Sequence, residues 1–173
     1  PFVTVLTILA DGGSVYHTLR NSRVEERALS QSFWYCVVIS LCLSVLMLPL
    51  APSIAAIMGE PRAEMAALAT GIAILAIGIG FQHNALIMRC FRNDLRALTI
   101  ISSVIVSVIL AIGAALLGAG YWALVLLFVS RTAVQTAAAW YLTGWIPSRP
   151  SLKIGYLKDV LTLGMPELYS RLL

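Results

Sequence analysis

The chain has 173 residues, 60% of them hydrophobic and only 12% charged. With tyrosine left out and glycine counted, the apolar share is about 64%, against roughly 45–50% in soluble domains. These proportions exclude a disordered chain, a basic nucleic-acid-binding domain and a conventional soluble enzyme, and they indicate an all-α integral membrane protein. The net charge of +4 says less than where the charges lie. Cys36, Cys42 and Cys90 form no disulfide framework and no cluster with metal-ligand spacing, so neither a metal nor a cofactor is expected.

A helix needs about 20 mostly apolar residues to cross a hydrocarbon core about 30 Å thick. Residues 1–10 are apolar and read as the remainder of a helix continuing past Asp11 to about residue 19. The stretches 28–59, 65–88 and 97–130 lack Asp, Glu, Lys and Arg, and no period-two strand pattern competes with them. The stretch 97–130 reads as the first arm of a hairpin. Gly118-Ala119-Gly120 punctuates it, Tyr121-Trp122 supplies an aromatic pair of the headgroup kind, and the apolar pattern runs on to Leu142. The expected spans are 1–19, 33–58, 66–88, 97–117 and 121–142, with 160–173 as the start of another. All belong to a single polytopic helix bundle over residues 1–173. The first residue is Pro1 and the last, Leu173, falls inside an apolar segment, which leads us to expect a fragment of a longer protein.

Charge parity supports the hairpin. With it, Arg20, Arg23, Arg27, Arg89, Arg92, Arg96, Arg149, Lys153 and Lys158 fall on one side, and Arg62 alone on the other. The positive-inside rule then places the basic loops in the cytoplasm and Glu60-Pro61-Arg62 outside. Pro49 and Pro52 are expected to bend their span. The pairs Ala69/Ala73, Ala76/Gly80 and Ala133/Ala137 have the spacing that lets helices approach closely. Arg20/Arg23/Arg27 and Arg89/Arg92/Arg96 share a three-then-four spacing that would set each triplet on one helix face. They read as a basic rim at the cytoplasmic mouth, or simply as orientation signal.

Ionisable groups at bilayer depth are costly and tend to face an interior or a cavity. Arg131 lies near the middle of span 121–142 and costs about 2.5–3.5 kcal/mol on the insertion scale. The apolar residues Leu124 to Val129 and Val134 return about 0.3–0.6 kcal/mol each, so the helix alone would insert marginally. Arg131, with Gln135 one turn later, is therefore expected to face a bundle or a water-filled cavity, where it binds an anionic substrate group or pairs with a carboxylate. Asp11 is a second buried-charge candidate. Glu167 and Arg171 are one turn apart and are expected to pair with each other. Gln82-His83-Asn84 reads as interfacial, near the end of its span. No phosphate loop, nucleophile elbow or paired histidine suggests an enzyme.

Three stretches carry a family resemblance. Leu50-Ala51-Pro52-Ser53-Ile54-Ala55-Ala56-Ile57-Met58-Gly59-Glu60-Pro61 resembles the end of the third span and the outer loop of bacterial polysaccharide flippases. Gly120-Tyr121-Trp122-Ala123-Leu124-Val125 is similar to the outer turn and start of their sixth span. Gly164-Met165-Pro166 with Ser170-Arg171-Leu172-Leu173 resembles the beginning of their seventh. These are the Wzx-type oligosaccharide flippases of lipopolysaccharide and exopolysaccharide export, within the multidrug/oligosaccharidyl-lipid/polysaccharide exporter superfamily. The family's usual Asp-Leu-Gly-Leu-Gly stands here as Asp11-Gly12-Gly13-Ser14, and Glu167 replaces an apolar residue.

The resemblance implies a fragment of a two-lobed, MATE-like transporter in the bacterial cytoplasmic membrane. It implies translocation of a polyprenyl-pyrophosphate-linked oligosaccharide by alternating access, surrounded by membrane lipids and coupled to H+ or Na+, with no nucleic acid involved. Arg131, Gln135, Asp11, Arg171 and Glu167 are then the candidate substrate-binding residues. Three other readings remain open at this stage, one of them a non-transporting scaffold subunit in which Arg131 and Asp11 would tolerate apolar replacement. A multidrug/cation antiporter of the same superfamily would want a carboxylate-lined cavity. A membrane glycosyltransferase or ligase would want a catalytic loop or a soluble domain.

Overall fold

The structure is a computed structural model and describes residues 26–148. The expected spans 1–19 and 160–173 lie outside these residues. Four long helices make up almost all of the described chain: α1 (Glu26–Met58), α2 (Arg62–Arg89), α3 (Asn93–Leu116) and α4 (Trp122–Thr143). There is no strand among the described residues. Each helix is long and apolar enough to cross a membrane, and most of each apolar window stays on the outside of the unit. An apolar run of this length has little choice, because a backbone in hydrocarbon must satisfy its polar groups within the segment.

The helices run alternately up and down. α1 packs on α2, α2 on α4, and α4 on α3. Three of the helix ends close in the same way. The amide of Gly59 donates to the Ala56 carbonyl and that of Glu60 to Ala55; Gly118 and Ala119 donate likewise to Ala115 and Ala114, and Phe91 and Arg92 to Met88 and Ile87. This is the left-handed cap that satisfies orphan carbonyls. Gly118 takes it at φ 83°, where a side chain would be strained, and Gly120 follows at φ 52° to launch α4. Phe91 holds the same position at φ 52° without being a glycine, its ring almost fully exposed beyond the end of α2.

Pro49 and Pro52 both lie inside the single helix α1. They lack the N–H groups that would otherwise bond the Val45 and Leu48 carbonyls. The α1–α2 seam is built on Met47 and Ile74, both fully buried, with Leu43, Leu50 and Phe81 packed against them. Glycine allows the tight approach there. A Cβ on Gly78 would overlap the Ser40 side chain, and at the α2–α4 seam one on Gly80 would come within 2.6 Å of Thr136 Oγ1.

Small residues do line the seams, though not all those expected. Ala73 and Gly80 are buried on α2, whereas Ala133 and Ala137 are exposed on α4. The α4 seam instead uses Ala123, Ser130 and Ala139. The buried face of α3 is Thr99, Ser103, Ser107 and Ala111, spaced four apart. Their hydroxyls donate back to their own helix, to the carbonyls of Arg96 (2.8 Å), Ile100 (2.7 Å) and Val104 (3.0 Å). A hydroxyl satisfied in this way can sit in a dry helix interface without leaving an unpaired group.

Candidate functional site

Arg131 is the tenth residue of α4, about 13.5 Å along the axis from Trp122 and about 18 Å from Thr143 at 1.5 Å per residue. It is exposed, and it makes no hydrogen bond or ion pair among the described residues. On a helix wheel it lies about 140° and 180° from Thr136 and Trp140. Those two residues seat α4 on α2: Thr136 Oγ1 donates to the Ala76 carbonyl (2.8 Å) and Trp140 Nε1 to Ile79 (3.2 Å). Arg131 therefore points away from α2. Gln135, half-buried, follows one turn later on the same face.

The sequence leads one to expect Arg131 inside a bundle or a cavity, and the four described helices do not enclose it. The reason is mechanical: α4 spends its other sides on α2 and α3, which leaves Arg131 on its free flank. No carboxylate among the described residues pairs with it. Asp11, Glu167 and Arg171 lie outside the described residues.

The basic rim is only partly described, since Arg20 and Arg23 also lie outside. Arg27 stands exposed in the first turn of α1. Arg89, Arg92 and Arg96 do not share one helix face. Arg89 ends α2, Arg92 caps α3 and Arg96 sits in its first turn, because the chain reverses at Cys90-Phe91. The three still gather at the same end of the unit as Arg27. Arg92 Nη2 reaches Asp94 Oδ2 at 3.2 Å, which offsets part of the positive charge.

At the other end, two adjoining clefts share Arg62 and Tyr121. One, about 460 Å³, lies over Met65, Gly120 and Trp122. The other, about 430 Å³, runs down between α1 and α2 along Met47, Ile54 and Met58. Tyr121 donates its hydroxyl to the Arg62 carbonyl at 3.0 Å, pinning the start of α4 to the start of α2. The Arg62–Glu60 contact beside it is long, 3.8 Å, and largely exposed, so it adds little. Of the expected site residues that are described, Arg27, Arg89, Arg92, Arg96, Arg131 and Gln135, none lines either cleft.

Sequence reasoning missed the most densely organised polar group. Gln82 and His83, near the end of their span, are both fully buried inside the unit. The His83 ring stacks on Trp140 at 4.1 Å and 23°, with Phe33 and Trp145 packed edgewise around it at 6.0 and 5.5 Å. Its Nε2 lies 3.2 Å from the Trp145 carbonyl. The convergence of Phe33, Trp140 and Trp145 on one histidine needed the fold.

No group of histidine, cysteine or acidic side chains among the described residues could hold a metal ion. No curated protein and no solved structure was found to match the chain. A family model described as "Polysaccharide biosynthesis protein" matches residues 1–173, in agreement with the resemblance to polysaccharide flippases carried by residues 50–61, 120–125 and 164–173. By that match over its whole length, and with its row of membrane-spanning-capable helices, the chain belongs to the polysaccharide biosynthesis protein family.

Proposed function

We propose that the chain is part of a multi-pass exporter in the bacterial cytoplasmic membrane that flips lipid-linked oligosaccharide or polysaccharide precursors by alternating access. The single observation that carries this reading is Arg131: a guanidinium at mid-span, on a free helix flank, with Gln135 beside it and no partner among the described residues. Left in acyl chains it would cost about 2.5–3.5 kcal/mol. Set against a water-filled path, it offers five donors in the planar fork that suits a phosphate. A polyprenyl-pyrophosphate or an acidic sugar supplies the matching anion, while the lipid tail stays in the bilayer. The protein moves this substrate without making or breaking a bond in it, and H+ or Na+ drives the cycle.

The orientation follows from charge. The end carrying Arg27, Arg89, Arg92 and Arg96 faces the cytoplasm, and the end carrying Glu60-Pro61-Arg62 faces outward. Reporter fusions after Gly59 and after Asn93 are expected to report opposite compartments; a shared compartment contradicts this topology. Function is tested with the full-length protein in proteoliposomes containing a fluorescent polyprenyl-pyrophosphate oligosaccharide. Protein-dependent transfer to the opposite leaflet is expected. Liposomes that flip no such lipid yet expel organic cations would replace this reading with drug efflux.

A further inference from the structure

The chain does not leave the bundle freely at the end of α4. Gly144 closes that helix at φ 58°, its amide bonded to the Trp140 carbonyl at 3.0 Å. The next four residues fold back across the basic end of the unit and are held at separate points. His83 Nε2 meets the Trp145 carbonyl. Trp34 Nε1 donates to the Ser148 carbonyl at 3.0 Å. The Ser148 amide donates to Ser30 Oγ at 3.0 Å, and the two hydroxyls lie 2.9 Å apart. Ser30 and Ser148 are 118 positions apart in the chain, so this is a tertiary fastening and not a helix cap.

The chemistry of the histidine is fixed by its partner. A carbonyl can only accept, so Nε2 carries the proton in this contact. The ring stack on Trp140 and the edges of Phe33 and Trp145 surround the imidazole in this position.

We propose that residues 144–148 are a latched strap, with His83 as the positioning residue that seats it, so that the chain moves as one body with α1, α2 and α4 as far as Ser148. The strap itself does not depend on what is transported; its staying shut during transport rests on the export reading.

Cysteine cross-linking in native membranes tests this, with Cys36, Cys42 and Cys90 replaced by alanine. The Ser30→Cys/Ser148→Cys pair reads the strap. The Gly80→Cys/Thr136→Cys pair reads the bundle, because a Cβ on Gly80 lies 3.3 Å from that of Thr136, close to disulfide geometry. Both pairs should form. His83→Ala and His83→Phe should slow the strap pair about tenfold and leave the bundle pair unchanged, the loss expected for one buried hydrogen bond. His83→Gln, whose amide can donate from nearly the same place as Nε2, should restore it.

A strap pair that forms equally fast in His83→Phe, or that fails in the parent while the bundle pair forms, overturns the proposal. So does loss of both pairs in His83→Phe, since His83 would then support the whole bundle. Export is read separately on the oxidised strap pair and should match the reduced protein. If oxidation stops export, the strap opens during transport and the one-body claim falls. If neither form exports, it is the export reading that fails, and the cross-linking result stands.

Discussion

Arg131→Ala is expected to cut export at least about tenfold, the scale of losing one charged hydrogen bond of about 1.5–3 kcal/mol, while the amount of inserted protein holds or rises. The two readouts move apart for a physical reason. Removing the guanidinium takes about 2.5–3.5 kcal/mol off the cost of inserting α4, and no ion pair or hydrogen bond among the described residues is lost with it. Lysine keeps the charge and loses the planar fork, so Arg131→Lys should export at an intermediate rate. Membrane-fraction immunoblots read insertion, and transfer of the fluorescent lipid-linked oligosaccharide reads export. Undiminished export by a well-inserted Arg131→Ala protein removes Arg131 from the mechanism.

Gly78→Ala should be the most damaging methyl added to the described core. The new Cβ overlaps both Oγ and Cβ of Ser40; turning the hydroxyl would give up its bond to the Cys36 carbonyl at 2.6 Å and still leave the overlap with Cβ, which the backbone fixes. Overpacking typically costs about 1–3 kcal/mol, and the overlap with a Cβ puts this site at or above the upper end. The thermal midpoint in detergent should fall by several degrees, about 2–4 °C for each kcal/mol in a chain of this size. Ser40→Gly should restore most of that loss in the double variant and, alone, should be the milder change. A midpoint unchanged in Gly78→Ala would mean that α1 and α2 do not approach so closely.

Helix content and membrane character were legible because they depend on local chemistry. Runs such as 65–88 have no charge to interrupt them, and a backbone in lipid has one economical way to bond itself. Gly118 and Gly120 were legible for a related reason, since the left-handed conformation they adopt is cheap only for glycine. What could not be read is which side of a helix meets its neighbour. Ala133 and Ala137 have the right spacing and lie on the wrong face, while Thr99, Ser103 and Ser107 pass for polar interruptions until their hydroxyls are seen to serve their own helix. His83 could be placed from sequence only by its distance from a span end, and burial depends on direction as well as depth. The triplet Arg89, Arg92 and Arg96 kept its helical spacing on paper only, because the reversal at Phe91 runs through it. For the candidate site, sequence gave the depth of Arg131 and the structure gave its direction, away from α2.

The most direct test is the reactivity of a thiol at position 131. In a chain with Cys36, Cys42 and Cys90 replaced, Arg131→Cys should react with a charged, water-soluble thiol reagent and be shielded by lipid-linked oligosaccharide. The thiolate is the reactive form, and a thiol in hydrocarbon stays protonated. Ile109→Cys, on the exposed apolar face of α3, should remain unreactive beside it. Position 131 lies on a water-filled path if it labels and position 109 does not; equal silence at both would put Arg131 in the acyl chains and contradict the account.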